Sequence, residues 1–233
     1  MSDDPEHLVL SVVIPAFNEE STIGEVLCKV LETPYEKEVI VVDDGSTDRT
    51  AERAGEAGGE SVRVVSHGKN RGKGAALSTG FREAGGDIVI VQDADLEYDP
   101  ECYPSLLAPI IEGRADVVYG SRFAGAAHGV GYFWHSVANR LLTLWCSIWS
   151  NRHFSDMETG YKVFRREVLA DLELREPGFG VEPEITMKVS RRRWRITEVP
   201  ITYYGRSYGE GKKIGITDAF RALWCVVRYA FMD

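Results

Sequence analysis

The 233-residue chain has only four cysteines, no Cys-x-x-Cys pair and no apolar run of membrane-spanning length. Four thiols scattered over a chain far larger than a disulfide-stapled miniprotein, Cys28, Cys102, Cys146 and Cys225, point to reduced side chains in a cytosolic setting. The longest uncharged stretch, Phe123 to Asn139, is broken by glycines, alanines and two histidines, which excludes a conventional span. A basic leader is missing too, because MSDDPEHLVL is acidic where a secretory signal carries Lys or Arg. Positive charge is scarce overall: 27 Lys and Arg stand against 36 Asp and Glu, a net −9 that argues against nucleic acid as the partner. No GxGxxG follows a strand-like run, which removes the main support for a dinucleotide dehydrogenase. A P-loop is excluded by spacing, since three residues separate Gly68 from Gly72 and Gly74 stands where Ser or Thr is needed.

What is present is split along the chain. Residues 1–130 carry 11 basic and 24 acidic side chains, whereas 131–233 carry 16 and 12, so only the second part tolerates an anionic surface. In the first half, short Val- and Ile-rich runs at Leu8 to Ile14, Glu38 to Val42, Val62 to Val65, Ile88 to Val91 and Asp116 to Tyr119 read as strands buried on both faces. Helix-length stretches lie between them, near Glu20 to Leu31, Asp48 to Ala57, Gly74 to Ala84 and Tyr103 to Glu112. This alternation predicts an α/β domain with a mostly parallel sheet and helices on both faces, whose ligands bind beyond the carboxyl ends of the strands. Phe133 to Trp149 and Asp218 to Phe231 add apolar-faced helices, and Thr197 to Tyr204 is β-like. With no repeat or linker in evidence, residues 1–233 are expected to form one domain, its first half to Arg122 and its second from Phe123.

The unusual residues cluster after the strands. Asp93, Asp95 and Glu97 follow Ile88 to Val91 at alternate positions, which in extended chain share a side and suit a hard cation such as Mg²⁺ or Mn²⁺ with sites left for diphosphate oxygens. Asp43 and Asp44 end the second strand. Gly45 there permits a turn, Ser46 or Thr47 is expected to cap the next helix, and one aspartate is left for ribose hydroxyls or a base edge. Pro15, Phe17 and Glu19 close the first strand, with Phe17 suited to lie against a base. The Gly-rich Gly68 to Gly74 turn offers amide groups to phosphate, with Arg71 or Lys73 adding charge.

Seven motifs then occur in order: VVIPAFNEE (Val12 to Glu20), VVDDGSTD (Val41 to Asp48), NRGKGAAL (Asn70 to Leu77), QDADLEYDP (Gln92 to Pro100), YGSRF (Tyr119 to Phe123), DMETGYKVF (Asp156 to Phe164) and EVPITYYGRSYGEGKKI (Glu198 to Ile214). Together they resemble family 2 glycosyltransferases of the GT-A fold, and within them the dolichol-phosphate mannose synthase and polyprenyl-phosphate glycosyltransferase group. The resemblance implies a Rossmann-like sheet with a C-terminal helical layer, a nucleotide-sugar-binding first half and an acceptor-binding second half. By it, Pro15, Phe17, Glu19 and Asp44 match positions that hold the donor nucleotide, with Lys73 nearby. Asp93, Asp95 and Glu97 match the metal and diphosphate site; some relatives have Gln at the third place, so Glu97 adds charge. Arg122 and Arg206 match basic residues that meet the acceptor phosphate. The basic residues that follow this motif in relatives have no counterpart in neutral Gly125 to Gly131, and His135, Ser136 and Arg140 are candidates for the role.

The function so implied is metal-dependent inverting transfer of a hexose to a polyprenyl or dolichyl monophosphate, from GDP-mannose first and UDP-glucose second. Asp95, Arg122 and Arg206 would be its catalytic set. A sugar-phosphate nucleotidyltransferase is the alternative enzyme, but Pro15 to Glu20 stands where its Gly-rich triphosphate loop is expected. A non-catalytic subunit is the other alternative, and the intact Asp93, Asp95, Arg122 and Arg206 speak against it. The acceptor lipid requires a membrane surface or an anchoring partner. The aromatic faces of Phe133 to Trp149 and of Leu223, Trp224, Val227 and Phe231 suit either bilayer contact at the cytoplasmic face or packing on the sheet.

Overall fold

The computed structural model describes residues 8–124, 133–205 and 216–232. Seven strands form one sheet in the order β3-β2-β1-β4-β6-β5-β7, with β1 at Leu10–Ala16, β2 at Lys37–Asp43, β3 at Val62–Ser66, β4 at Ile88–Val91, β5 at Val117–Ser121, β6 at Lys162–Arg165 and β7 at Ile196–Pro200. All pairs are parallel except those of β6, which runs antiparallel to both β4 and β5. The register aligns the strand ends: Ala16 pairs with Asp43, Asp43 with Ser66, and Ser121 with Pro200. The loops leaving β1, β2, β3, β4, β5 and β7, and the loop entering β6, therefore share one edge of the sheet.

Alternation along the strands divides the core. Leu10, Val12, Ile14 and Ala16 face α1 (Ile23–Glu32), α2 (Thr50–Gly58) and α4 (Tyr103–Ile111), through Val26, Leu27, Ala54, Leu106 and Ile110. Val13, Val89, Val91 and Val117 face α3 (Lys73–Glu83) and α7 (Val181–Arg191). Fully burying each such side chain contributes about 1.5–3 kcal/mol, which explains why runs apolar on both sides become central strands. The strand and helix expectations hold to within a few residues. The expected cap on α2 does not: Ser46 and Thr47 bond across to Asn18, while Asp48 Oδ1 accepts the Thr50 amide at 3.0 Å. Asn18 adopts φ 53°, its backbone N–H donating to Ser46 Oγ and its side-chain Oδ1 accepting the Thr47 amide.

Two elements escape the sequence pattern. β6 is only four residues long and bears Lys162 at its start. α7 is buried from Val181 to Ser190, including Glu182, Glu184 and Lys188, so it has no polar stripe. It lies between the sheet and an outer pair, α5 (Phe133–Ser150) and α8 (Ile216–Phe231); the short α6 (Arg166–Ala170) follows β6. The buried charges of α7 are partnered: Glu184 accepts the amides of Arg175 and Glu176 and pairs with Lys188 at 2.9 Å. This is the expected C-terminal helical layer.

Candidate active site

The corner beyond β1 and β2 is built from hydrogen bonds between loops distant in sequence. Asp44, 3% exposed, accepts the amides of Arg71 (3.0 Å) and Gly72 (2.6 Å), and its Oδ1 lies 2.6 Å from His67 Nδ1. His67 Nε2 in turn lies 3.0 Å from Thr79 Oγ1. Asp44 thus clamps the Gly-rich turn to the end of β2, with its acceptor positions engaged by the protein. Asp43, also buried, accepts the Ser46 amide at 3.2 Å and stands next to it at the same edge. Gly72 has φ 97°, and a Cβ there would strike the Pro177 carbonyl, so the turn closes against the 176–178 segment only as glycine. Glu19 is buried, its amide donates to Thr50 Oγ1 at 2.8 Å, and Thr22 Oγ1 lies 3.0 Å from both Glu19 Oε2 and the Ala94 carbonyl. Pro15 and Phe17 are half-buried beside it.

Below the same edge, Gln92 forms a polar floor, accepting from Tyr103 and Tyr161 hydroxyls and donating to the carbonyls of Asp93 and Tyr98. Tyr98 Oη accepts the Gly160 amide at 2.9 Å. Gly160 lies against Asp93, where a Cβ would strike the carboxylate, so the 156–160 loop reaches the carboxylate as closely as backbone allows. Lys73, the first residue of α3, stands 2.8 Å from Asp93 Oδ1 and 3.2 Å from Glu182 Oε1. Burial lowers the ammonium pKa, but the carboxylates of Asp93 and Glu182 outweigh it and hold the group above its ordinary value. Glu182 also pairs with Lys162, which donates to the carbonyls of Met157 and Thr159. Alternating charges thus run from Asp93 through Lys73 and Glu182 to Lys162.

The expected carboxylate trio is arranged differently. Asp95 Oδ1 accepts the Glu97 amide at 3.1 Å, while Glu97 Oε2 accepts the Tyr203 hydroxyl at 2.9 Å. Among the described residues no group of three or more His, Cys, Asp or Glu side chains is placed to hold one metal ion. Asp93 and Asp95 present carboxylate oxygens after the strand, and Asp93 is paired with the Lys73 ammonium. Carboxylate oxygens are donors that fit a hard divalent ion.

Across the edge, Arg122 follows β5 directly. Its Nε and Nη2 form a fork on Asp156, each at 2.7 Å, and its amide bonds the same carboxylate at 3.0 Å. Asn139 of α5 adds a fourth donor to Asp156. The guanidinium lies 5.1 Å from the Tyr203 ring centroid and 5.8 Å from that of Phe123, and Arg140 stands 6.0 Å from the other aromatic contact they share, Phe123. Arg122 and Arg140 therefore converge on one patch. Ser136 is half-buried on α5; the His135 side chain, Arg206, Lys212, Lys213 and Gly125 to Gly131 lie outside the described residues. Sequence reasoning missed Asp156, Glu158, Lys162 and Glu182 as site residues. DMETGYKVF held the first three as a motif without roles, and a fully buried helix gave no signal for the fourth.

The outer helices pack on the core at some positions and expose apolar side chains at others. Cys146, Ala222, Cys225, Val226 and Tyr229 are buried, whereas Leu141, Leu144 and Ile148 of α5 and Phe220, Trp224 and Phe231 of α8 are each about 60–70% exposed. The rings of Trp149 and Phe231, 5.5 Å apart, join the two exposed strips. No helix among the described residues is long and apolar enough to cross a membrane.

The family model described as glycosyl transferase family 2 matches residues 11–173. A dolichol-phosphate mannosyltransferase of Pyrococcus furiosus is 32% identical over 214 residues, which cover 89% of this chain and 60% of that protein. An undecaprenyl-phosphate mannosyltransferase of Micrococcus luteus is 32% identical over 216 residues, 87% of this chain and 86% of its own. Among solved structures, a glucosyl-3-phosphoglycerate synthase from Mycobacterium tuberculosis in complex with Mn²⁺, UDP and glucosyl-3-phosphoglycerate aligns with TM-score 0.75 and 26% identity, covering 97% of this chain and 81% of that one.

Proposed function

The chain belongs to glycosyl transferase family 2, and from that premise we propose that it transfers a hexose from a nucleoside diphosphate sugar to a polyprenyl or dolichyl monophosphate with inversion. Mannose from GDP-mannose is the first choice of donor and glucose from UDP-glucose the second. The observation that carries the reading is the pairing at one sheet edge of an acidic strand end, Asp93 and Asp95, with a cationic aromatic patch, Arg122 with Phe123 and Tyr203. The first suits a cation-bound diphosphate and the second a phosphate that is not the leaving group.

The residues divide the work. The Asp44 clamp fixes the Gly-rich turn, and Phe17, Glu19 and Asp43 line the corner where a nucleoside would lie. Asp93 and Asp95 would hold Mg²⁺ or Mn²⁺, which supplies charge neutralisation of the departing diphosphate. Lys73 stands next to Asp93 as a second positive charge for the same oxygens. On the other side, Asp156 fixes the plane of the Arg122 guanidinium, leaving its remaining N–H groups to hold an acceptor phosphate for attack, with Arg206 as its partner. The acceptor oxygen is already anionic near neutral pH, so no strong general base is required.

The acceptor's chain stays in a bilayer, and the exposed apolar strips of α5 and α8 on the basic second half supply a peripheral docking face at the cytoplasmic side. The test is direct: purified protein is incubated with Mn²⁺ or Mg²⁺, labelled GDP-mannose or UDP-glucose, and either polyprenyl phosphate or a small soluble phosphomonoester. Label in the lipid extract supports the proposal. Label only in the soluble ester would overturn the lipid acceptor, and label in neither would overturn the activity.

A further inference from the structure

Glu176 is a buried carboxylate outside the candidate site, at a junction of α7, α8 and the Gly-rich turn. Its amide donates to Glu184 Oε2 at 2.8 Å, which fixes it to α7. Its carboxylate is held by α8: Arg221 Nε and Nη2 stand 2.9 and 2.8 Å from Oε2, Tyr229 Oη donates to Oε1 at 3.1 Å, and Arg228 stands 3.7 Å from Oε1. A buried carboxylate that loses such partners is strongly destabilised, so the segment sits where α8 satisfies it.

The backbone of the same segment supports the Gly-rich turn. The Pro177 carbonyl accepts the Ala75 amide at 3.0 Å, a Cβ on Gly72 would strike that carbonyl, and a Cβ on Gly74 would strike the carbonyl of Glu176 itself. Lys73, between the two glycines, carries its ammonium to Asp93 and Glu182. The amides of Arg71 and Gly72 are the ones that Asp44 holds. The turn is thus gripped from two sides, by Asp44 after β2 and by the 176–178 backbone. Backbone packed on backbone passes a displacement on, because a close-packed interior has little room to absorb it.

We infer that Glu176 is a positioning residue for the donor: held by Arg221 and Tyr229 of α8, it seats the 176–178 backbone, which sets the Gly-rich turn and Lys73 for the donor diphosphate. The inference rests on the donor assigned above to this corner. It ties that corner to the helix that carries the exposed Phe220, Trp224 and Phe231, so that donor affinity depends on α8 as well as on the strand ends.

Arg221→Ala, Tyr229→Phe and the double variant of the full chain test it. Arg221 is 52% exposed and Tyr229→Phe keeps the ring, so the fold is expected to survive each single change. Calorimetry with GDP and with UDP, each with Mn²⁺, and with geranyl phosphate gives the affinities, and amide hydrogen exchange follows the peptide from Arg71 to Ala76. The nucleotide that wild type binds is expected to lose about threefold in affinity in each single variant and about tenfold in the double. Geranyl phosphate affinity should stay unchanged, exchange in the turn should accelerate, and Arg221→Lys, which keeps the charge, should restore most of the Arg221→Ala loss. Unchanged nucleotide affinity, unchanged exchange in the turn, or equal losses for nucleotide and geranyl phosphate overturns the inference. Wild type binding neither nucleotide would instead overturn the donor site on which it rests.

Discussion

The proposed donor corner and the proposed acceptor patch occupy the same sheet edge but are built differently. At the proposed donor corner backbone amides hold most of the carboxylates, Asp44 through Arg71 and Gly72, Asp43 through Ser46 and Asp95 through Glu97, while His67 and Lys73 add side-chain partners to Asp44 and Asp93. At the proposed acceptor patch the contacts are mainly side chain to side chain, the Arg122 fork on Asp156 and the rings of Phe123 and Tyr203, with the Arg122 amide added to the fork. Amide cradles fix position and leave little choice of side chain beyond glycine at the turn. Side-chain pairs fix charge and direction. A net-acidic first half and a net-basic second half follow the same division.

The sharpest way to break this division is at the strand end. Asp95→Asn is expected to lower transfer by about 10²–10³-fold or more, because charge stabilisation of a leaving group is the largest single catalytic contribution. The thermal midpoint should move by no more than about 2 °C, since Asp95 lies in a loop outside the core. Near-native turnover at ordinary Mg²⁺ or Mn²⁺ would remove Asp95 from the donor side. Next in size is Arg122→Lys, which keeps the charge but loses the planar fork. Steady-state kinetics should show KM for the lipid phosphate raised about tenfold, a shift of about 1.4 kcal/mol, with nucleotide affinity unchanged.

How far these residues were legible depended on whether their partners were local. Strands buried on both faces announce themselves as Val and Ile runs, which is why β1 to β5 and the helices between them were readable. α7 was not, because a helix packed on every side has no amphipathic period, and Glu182, Glu184 and Lys188 within it look like surface residues until their partners are known. β6 was too short, and its Lys162 and Arg165 mask a strand that joins β4 to β5. In the site, Asp44 and Asp93 were readable as strand-end acids. Their engagement by His67 and Lys73 depends on pairings of distant segments that no spacing encodes.

A smaller effect sharpens the acceptor side. Replacing Ile148, Trp224 and Phe231, all exposed, with Ser should weaken co-sedimentation with anionic vesicles several-fold while leaving nucleotide affinity unchanged. Wild-type binding should be stronger on anionic than on neutral vesicles and partly relieved by salt. No binding to either vesicle would assign membrane recruitment to a partner protein. The smallest effect concerns stability. Glu158 is held at about 7 in the folded chain against an ordinary 4.5, so the folded state binds the extra proton between those values. Its contribution is present below about 4.5 and is lost as pH rises through 7. The thermal midpoint of Glu158→Gln should therefore gain a few degrees on wild type between pH 5 and 8, and a gain in the opposite direction would contradict the buried, unpaired environment.

The division of labour itself is tested most directly by a crossed affinity measurement. Asp44→Asn and Arg206→Ala are each titrated with nucleoside diphosphate and with a soluble prenyl phosphate. The account predicts a crossover: Asp44→Asn weakens nucleotide binding about tenfold through loss of the turn's charged acceptor and spares the prenyl phosphate. Arg206→Ala does the reverse. Equal losses for both ligands in either variant would contradict the separation of donor corner and acceptor patch.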